Sequence, residues 1–195
     1  MDGQRSNTSE ARERVIHAAY TLFVQRGYAD VSMQQIADRA TITKATLYYH
    51  FRDKQDLYLA TMRMAFTRNQ ATLLDRIGPE PTLPFLIQEV LAFVLETKRA
   101  DVQRLMADFH QHVDKETQQR FWTEFPKPWL MLEPIVQRAI DRGEIGDPDA
   151  DFVSKYIYGA IAGYAHIMRM QDASELDDAM LAHFADTVLR GISPR

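Results

Sequence analysis

The sequence contains no cysteine among its 195 residues, and this absence excludes disulfide bonds, thiolate metal sites and cysteine nucleophiles. A long hydrophobic run is absent too. The longest, residues 156–168, is shorter than the roughly 20 helical residues that cross a bilayer. The first residues, MDGQRSNTSEARER, contain no apolar segment of the kind that a signal peptide needs. We therefore expect a soluble, cytoplasmic protein with no membrane association.

Charge is distributed unevenly along the chain. The content of 46% hydrophobic and 26% charged residues is typical of a globular protein, and the net charge is −4. Residues 1–68 hold ten Lys or Arg and seven Asp or Glu, a net charge of +3, whereas the remainder carries −7. A basic N-terminal region on an acidic body suggests two functional parts in one chain.

Hydrophobic residues recur at helical spacing along most of the chain. A first helix, capped by Thr8 or Ser9, ends at Gly27. The prolines and glycine of residues 78–84 interrupt the pattern before further helices resume. Because no stretch alternates polar and apolar residues for long enough to predict a sheet, we predict an all-α fold.

Residues 32–51 contain two short helices joined by a tight turn. Ser32 and Gln35, three residues apart, form a capping box that begins the first of these helices. Only two residues separate it from the second short helix, residues 44–50, which Thr43 caps. Together with the longer first helix, this is the layout of a helix-turn-helix module, which binds DNA.

The second short helix carries a set of side chains that suits a DNA groove. Leu47 and Phe51 lie four residues apart and are expected to face the core. Of the remaining residue types, lysine neutralises phosphate charge, tyrosine and histidine form hydrogen bonds with phosphate oxygens, and alanine allows close approach to base edges. The residues in question are Lys44, Ala45, Tyr48, Tyr49 and His50, with Lys54 at the start of the next helix.

With its flanking helices, this region resembles the DNA-binding domain of the TetR family of transcriptional regulators. The resemblance covers residues 9–69 and rests on the motifs AAxxLF, GY before the capping serine, IAxxA, and LYYHF followed by KxxL. It implies a homodimer that places its recognition helices in successive major grooves of double-stranded operator DNA. It also implies a larger helical C-terminal domain that binds a small-molecule effector and dimerises. The implied DNA contacts fall on Ser32, Met33, Gln34, Thr43, Lys44, Ala45, Tyr48, Tyr49, His50 and Lys54.

We therefore predict two domains. The first, residues 9–69, is the DNA-binding domain with its helix-turn-helix motif at residues 32–51, and the second, residues 78–195, binds the effector and dimerises. One position departs from the family, because Thr41 occupies the turn where glycine is usual. A residue other than glycine in a left-handed conformation costs on the order of 1 kcal/mol. Either the turn absorbs this strain or it adopts another geometry.

The segment at residues 106–131 is rich in aromatic side chains, which line both ligand pockets and packed cores. Within it, the motif DFHQHVD suggests a metal site, but His110 and His112 point about 200° apart on a helix. Two ligands rarely suffice for a metal, so we expect neither a metal nor a cofactor. The candidates for contact with an effector are Met106, Phe109, His110, Trp122 and Trp129.

Two glycines mark a candidate dimer interface. Gly159 and Gly163 create a helix face on which a second helix can lie close, and glycine inside a helix suggests such a packing reason. The last helix places Met180, Phe184 and Val188 at spacings of four residues. Two such helices from each subunit would form a four-helix interface, which is also where the family dimerises. Packing within one chain is the alternative.

These features predict a DNA-binding transcriptional regulator, most simply a ligand-responsive repressor that binds a palindromic operator as a homodimer. Two alternatives stay open: a helical enzyme, and a DNA-binding protein controlled by a protein partner. An enzyme needs a convergent acid–base or nucleophile set, and the sequence contains no such motif, so we expect no catalytic activity.

Overall fold

The computed structural model describes residues 2–96, 100–125, 127–146, 149–170 and 177–191, with side chains described for 9–96, 104–125, 127–146, 149–168, 170 and 177–191. Throughout these ranges the chain forms helices joined by turns and contains no strand, which confirms the all-α class. The helices are α1 Asp2–Arg26, α2 Met33–Arg39, α3 Lys44–His50, α4 Lys54–Ile77, α5 Leu83–Glu96, α6 Ala100–His112, α7 Lys115–Glu124, α8 Glu133–Asp141, α9 Ala150–Met170 and α10 Asp178–Arg190, with a 3-10 turn at Pro128–Met131.

Helix α1 begins earlier than predicted. It starts at Asp2 rather than after Thr8 or Ser9, because neither proline nor glycine occurs between Gln4 and Ser9 to stop it. It ends where predicted, at Gly27, which has a φ of 87° and donates its N–H to the carbonyl of Phe23 at 2.8 Å. None of the helices in the described ranges is long and apolar enough to span a membrane.

The chain forms two compact units. One comprises residues 1–69 and 99–125, and the other comprises residues 70–98 and 126–195. The structure therefore groups α6 and α7 with the N-terminal helices, whereas we predicted one continuous C-terminal domain over residues 78–195. The functional boundaries at 9–69 and 78–195 stay a prediction.

An aromatic core explains why α6 and α7 belong to the N-terminal unit. Tyr58 of α4 is fully buried and donates its hydroxyl to the carbonyl of Leu105 in α6. Burial raises the pKa of the Tyr58 hydroxyl, so this group remains a neutral donor. A buried donor needs such a partner, because leaving it unpaired costs about 1–3 kcal/mol. The other buried core rings are Phe23, Phe51, Phe109 and Phe121, with Tyr28, Phe66, Trp122 and Phe125 packed at the margin.

The second unit is built around α5, which packs against both α9 and α10. Its apolar side chains repeat at helical spacing and form one cluster with those of α8, α9 and α10. The end of α4 is tied to this unit by Arg76, which pairs with Glu89 at 2.9 Å and Glu96 at 2.6 Å. Fully buried members of the cluster include Leu86, Ile87, Leu91, Val136, Val153 and Ile157.

Candidate nucleic-acid interface

The helices α2 and α3 both begin at side-chain caps, as predicted. Ser32 accepts the N–H of Gln35 at 3.2 Å, and the side chain of Gln35 accepts the N–H of Ser32 at 2.8 Å, which confirms the capping box. Thr43 accepts the N–H of Thr46 at 3.1 Å. Because both caps are exposed, the first N–H groups of each helix are accessible to an anion such as a phosphate.

The turn between α2 and α3 keeps its left-handed residue. Thr41 has a φ of 57°, and its N–H is donated to the carbonyl of Asp38 at 3.1 Å. The next N–H, of Ile42, reaches the carbonyl of Ala37 at 3.0 Å, which completes a Schellman motif. Of the two possibilities left open by the sequence, the turn therefore absorbs the strain. This turn sets the angle at which α3 leaves α2.

We expect Thr41→Gly to stabilise the protein by about 0.5–1 kcal/mol. Relief of left-handed strain is worth roughly 1–2 kcal/mol, and the extra backbone entropy of glycine offsets roughly 0.5–1 kcal/mol of it. Urea unfolding measures the difference. Thr46→Gly, within α3, is the matched control and should destabilise the protein, because glycine is unfavourable inside a helix. A lower stability of Thr41→Gly would show that the threonine side chain makes a compensating contact.

Helix α3 divides into a buried side and an outer face. Leu47 and the following Phe51 are buried at 0% and 1% exposure, as predicted from their spacing. On the outer face, Tyr49 is 78% exposed and Tyr48 46% exposed. We define the α3 outer face as the exposed or partly exposed residues Lys44, Ala45, Tyr48, Tyr49 and His50.

Contacts within the α3 outer face hold its side chains together. The ammonium of Lys44 lies 5.9 Å from the centre of the Tyr48 ring. The Tyr49 ring stands edge-on to the His50 ring, with centres 5.2 Å apart. Large exposed rings beside a cation are unusual on a helix that already has a buried side, and they offer hydrogen-bond donors and stacking surfaces to a partner.

The two α2 residues that are predicted to contact DNA, Met33 and Gln34, differ in exposure. Met33 is buried in the core of its unit at 7% exposure, so its side chain faces the interior. Gln34 is exposed, and its amide donates to the carboxylate of Asp38 at 2.8 Å. DNA contacts by Met33 and Gln34 stay a prediction, and for Met33 only the backbone is well placed to make one.

Lys54 already has partners within the protein. Its ammonium donates to the carbonyl of Ala29 at 3.3 Å and lies 4.3 Å from the centre of the Tyr28 ring. Burial lowers the pKa of Lys54, whereas the carboxylates of Asp30 and Asp108 raise it. The Lys54 side chain lies at the corner between α1 and α2. The phosphate contact predicted for Lys54 stays a prediction.

Arg12 was not recognised from the sequence. Its guanidinium lies 5.0 Å from the centre of the Phe51 ring, which brings a charge from α1 to the end of α3. Burial and then the charge of Arg12 lower the pKa of His50, which favours the neutral imidazole. A neutral imidazole offers one donor and one acceptor. No local pattern predicts this contact, because α1 and α3 are distant in sequence.

The candidate effector residues are divided between the two units. Phe109 is fully buried in the core of the N-terminal unit, with Met106 and Trp122 packed beside it. His110 is exposed, and its Nδ1 lies 2.9 Å from the carbonyl of Met106. Trp129 belongs to the other unit, where its ring centre is 5.9 Å from that of Tyr158. An effector role for these residues stays a prediction.

Helix α9 carries an exposed apolar face that includes the two predicted glycines. Gly159 and Gly163 are exposed, and a Cβ added at either would meet no atom of the described residues within 4 Å, apart from its own helix backbone and chain neighbours. Close packing among the described residues therefore does not explain these glycines. The exposed apolar side chains of α9 are Phe152, Tyr156, Ile167 and Met170.

The candidate dimer residues of α10 are more buried than the two glycines of α9. Val188 is only 4% exposed and packs in the core of its own chain. Met180 and Phe184 are partly buried, and the Phe184 ring contacts Tyr164 of α9 with centres 4.9 Å apart. Contact of these three side chains with a second subunit stays a prediction.

Known proteins resemble the chain most clearly around α2 and α3. Residues 15–61 match the family described as bacterial regulatory proteins, tetR family. The HTH-type transcriptional activator FasR of Mycolicibacterium smegmatis is 44% identical over 61 residues, which are 31% of this chain and 28% of FasR. The HTH-type transcriptional regulator AcrR of Shigella flexneri is 28% identical over 101 residues, which are 51% of this chain and 47% of AcrR. The chain thus spans less than half the length of these two relatives.

A likeness in fold covers nearly the whole chain. The crystal structure of a protein from Mesorhizobium loti, described as of the TetR family, superposes with a TM-score of 0.74 at 20% identity. The match covers 94% of this chain and 95% of the other. At this identity the likeness concerns the fold alone: an N-terminal helix-turn-helix domain followed by a helical C-terminal domain.

Proposed function

This chain is a member of the TetR family of bacterial regulatory proteins, and from that premise we propose that the whole protein is a homodimeric, ligand-responsive transcriptional repressor. The observation that carries the proposal is the α3 outer face, where exposed tyrosines and a lysine project from a helix that is capped and braced as in a helix-turn-helix. As a DNA-bound regulator it would act in the cytoplasm.

In the proposed mechanism, the two recognition helices of the dimer enter major grooves one turn of DNA apart, roughly 34–36 Å. Exposed helix N-termini at Ser32 and Thr43 hold phosphates, while Tyr48, Tyr49 and Lys44 contact the groove. An effector bound in the predicted C-terminal domain, residues 78–195, favours a conformer with a different spacing, which fits the two grooves poorly. It acts through its unequal affinity for the two conformers. An effector that saturates the protein and leaves operator affinity unchanged contradicts this mechanism.

Fluorescence anisotropy with DNA from upstream of the coding region, beside a scrambled duplex, tests the DNA-binding proposal. We expect tight binding to the upstream DNA that weakens as salt rises, because bound cationic side chains displace counterions from the phosphates. Equal, weak binding to both duplexes contradicts sequence-specific recognition. Transcription from the same DNA, with and without the protein, separates repression from activation.

The effector proposal is tested by the two tryptophans, one in each unit. Trp122 and Trp129 are the only tryptophans in the sequence, so each can be followed alone after the other is replaced by phenylalanine. Titration with panels of small molecules should change the emission of Trp122 or Trp129, because both are candidate effector residues. If no small molecule changes the emission, and a protein partner releases the protein from DNA, the results support control by a partner instead.

The exposed α9 face supports a dimer interface at Gly159 and Gly163. We expect Gly163→Leu to convert dimers to monomers, because a leucine there projects into the space that a second subunit would fill. The subunit itself should fold normally, since beyond the local helix backbone the part of the chain that the structure describes leaves the added Cβ free of contacts within 4 Å. Sedimentation velocity measures the change. Gln119→Leu, which adds an exposed leucine on α7, is the control, and an unchanged dimer in Gly163→Leu contradicts this interface.

A further inference from the structure

Two charged side chains of α6 hold the corner between α1 and α2. The carboxylate of Asp108 accepts the backbone N–H of Tyr28 at 2.7 Å. One turn earlier on α6, the guanidinium of Arg104 donates to the carbonyls of Val24 at 3.3 Å and Gln25 at 3.2 Å. These carbonyls belong to the last turn of α1, where no further helical N–H is available to them. Arg104 therefore caps α1, and Asp108 fixes the first residue after it.

Gly27 lies directly beneath these two side chains. A Cβ at Gly27 would stand 3.5 Å from the Arg104 guanidinium and 3.6 Å from the Asp108 carboxylate. The left-handed φ of 87° at Gly27 turns the chain away from α1 at this point. The clamp, which we define as Arg104 and Asp108 together, thus acts on the residue where the direction of the chain changes.

Two side chains outside the clamp contact the ring of Tyr28, the residue after the corner. The ring of Tyr28 stacks on His112 of α6, with centres 5.2 Å apart and planes inclined by 27°. The ammonium of Lys54, at the start of α4, lies 4.3 Å from the centre of the same ring. Val31 is then buried, and the cap of α2 follows at Ser32. Because the link from Tyr28 to Ser32 is short, the position of Tyr28 limits where α2 can begin.

We propose that Arg104 and Asp108 are positioning residues for operator binding: they fix the corner at Gly27 and Tyr28 and through it the direction of α2 and α3. This inference rests on the proposed function. Neither side chain needs to touch DNA. Sequence-specific binding depends on the angle of the recognition helix, whereas non-specific binding to phosphates depends chiefly on charge. Loss of the clamp should therefore weaken operator binding selectively.

Two explanations predict opposite effects of Asp108→Asn on operator affinity. The substitution removes one negative charge, and electrostatic attraction to DNA alone predicts tighter binding. The clamp predicts weaker operator binding, by about threefold to tenfold, the equivalent of one typical hydrogen bond. Asp108→Ala, which removes the acceptor entirely, should lose at least as much. Glu116→Gln is the matched control, because it changes the charge equally at an exposed position of α7 in the same unit.

The salt dependence separates positioning from contact. Operator and scrambled duplexes are titrated across a salt series with the wild type, Asp108→Asn and Arg104→Gln. We expect both variants to lose operator affinity, to bind the scrambled duplex about as the wild type does, and to keep the wild-type salt slope. A residue that contacts a phosphate would instead reduce the slope by about one. Unchanged or tighter operator binding in both variants, or a slope reduced by about one in Arg104→Gln, overturns the proposal.

Hydrogen exchange without DNA tests the clamp independently of the proposed function. We expect the amide of Tyr28 and the amides of α2 to exchange faster in Asp108→Ala than in the wild type, with the buried α5 as an internal reference. Arg104→Lys, which keeps the charge but loses the forked donor, serves if Asp108→Ala does not fold. Wild-type protein that fails to bind any operator contradicts the proposed function alone, whereas unchanged exchange in the clamp variants contradicts the clamp.

Discussion

Replacing Phe109 with alanine will lower the free energy of unfolding of the N-terminal unit by about 3–5 kcal/mol, the usual cost of deleting a buried phenylalanine ring. Phe109 is fully buried, and its ring meets those of Phe121 at 5.2 Å and Trp122 at 5.9 Å between centres. The substitution leaves a cavity among rigid rings that cannot easily collapse. It also removes packing that joins α6 to α7, so operator binding should weaken along with stability.

Urea unfolding followed by Trp122 fluorescence measures this effect in a Trp129→Phe background, so that the signal reports only on the N-terminal unit. Phe109→Leu should cost less than Phe109→Ala, because most of the volume is retained. Tyr49→Ala is the control for loss of an exposed ring in the same unit, since that ring is 78% exposed on α3. Phe85→Ala, at a ring 42% exposed on α5 in the other unit, should leave this signal unchanged. A loss below about 1 kcal/mol for Phe109→Ala, combined with weaker effector binding, would favour the alternative of a pocket residue.

Replacing Tyr49 with alanine will weaken binding to the operator by about 10- to 100-fold, because one good base or phosphate contact is worth about 1–3 kcal/mol. Tyr49 is 78% exposed, and its ring contact is with the neighbouring His50. The substitution therefore removes surface that the folded subunit does not use. Stability should stay within about 0.5 kcal/mol of the wild type, as for other exposed positions.

Anisotropy titrations of Tyr49→Ala and Tyr49→Phe with the same operator separate the ring from the hydroxyl. If Tyr49→Phe binds like the wild type, the ring makes the contact, and if it binds like Tyr49→Ala, the hydroxyl does. Phe85→Ala again supplies the control of an exposed aromatic residue lost elsewhere. Wild-type affinity in Tyr49→Ala would contradict the assignment of the α3 outer face as the DNA-binding surface.

Local sequence patterns specify the architecture around α2 and α3. The capping box at Ser32, the cap at Thr43 and the bounds of α3 follow from interactions between residues three or four positions apart. The buried side of α3 follows from the same periodicity, so the exposure of Tyr48 and Tyr49 on the opposite side could be predicted as well. Such contacts are encoded within a single turn of helix and need no knowledge of distant segments.

The contacts between distant segments depend on the packing of the whole fold. It placed α6 and α7 with the N-terminal helices, gave Lys54 a partner in Tyr28, and brought Asp108 to the corner after Gly27. Each of these outcomes depends on how several amphipathic helices share one core, and an apolar stripe on a helix does not specify which partner it will cover. The charged side chains then pair with whatever backbone groups this packing leaves within reach. For that reason the DNA-facing helix could be recognised from its sequence, whereas the residues proposed to hold it in position could not.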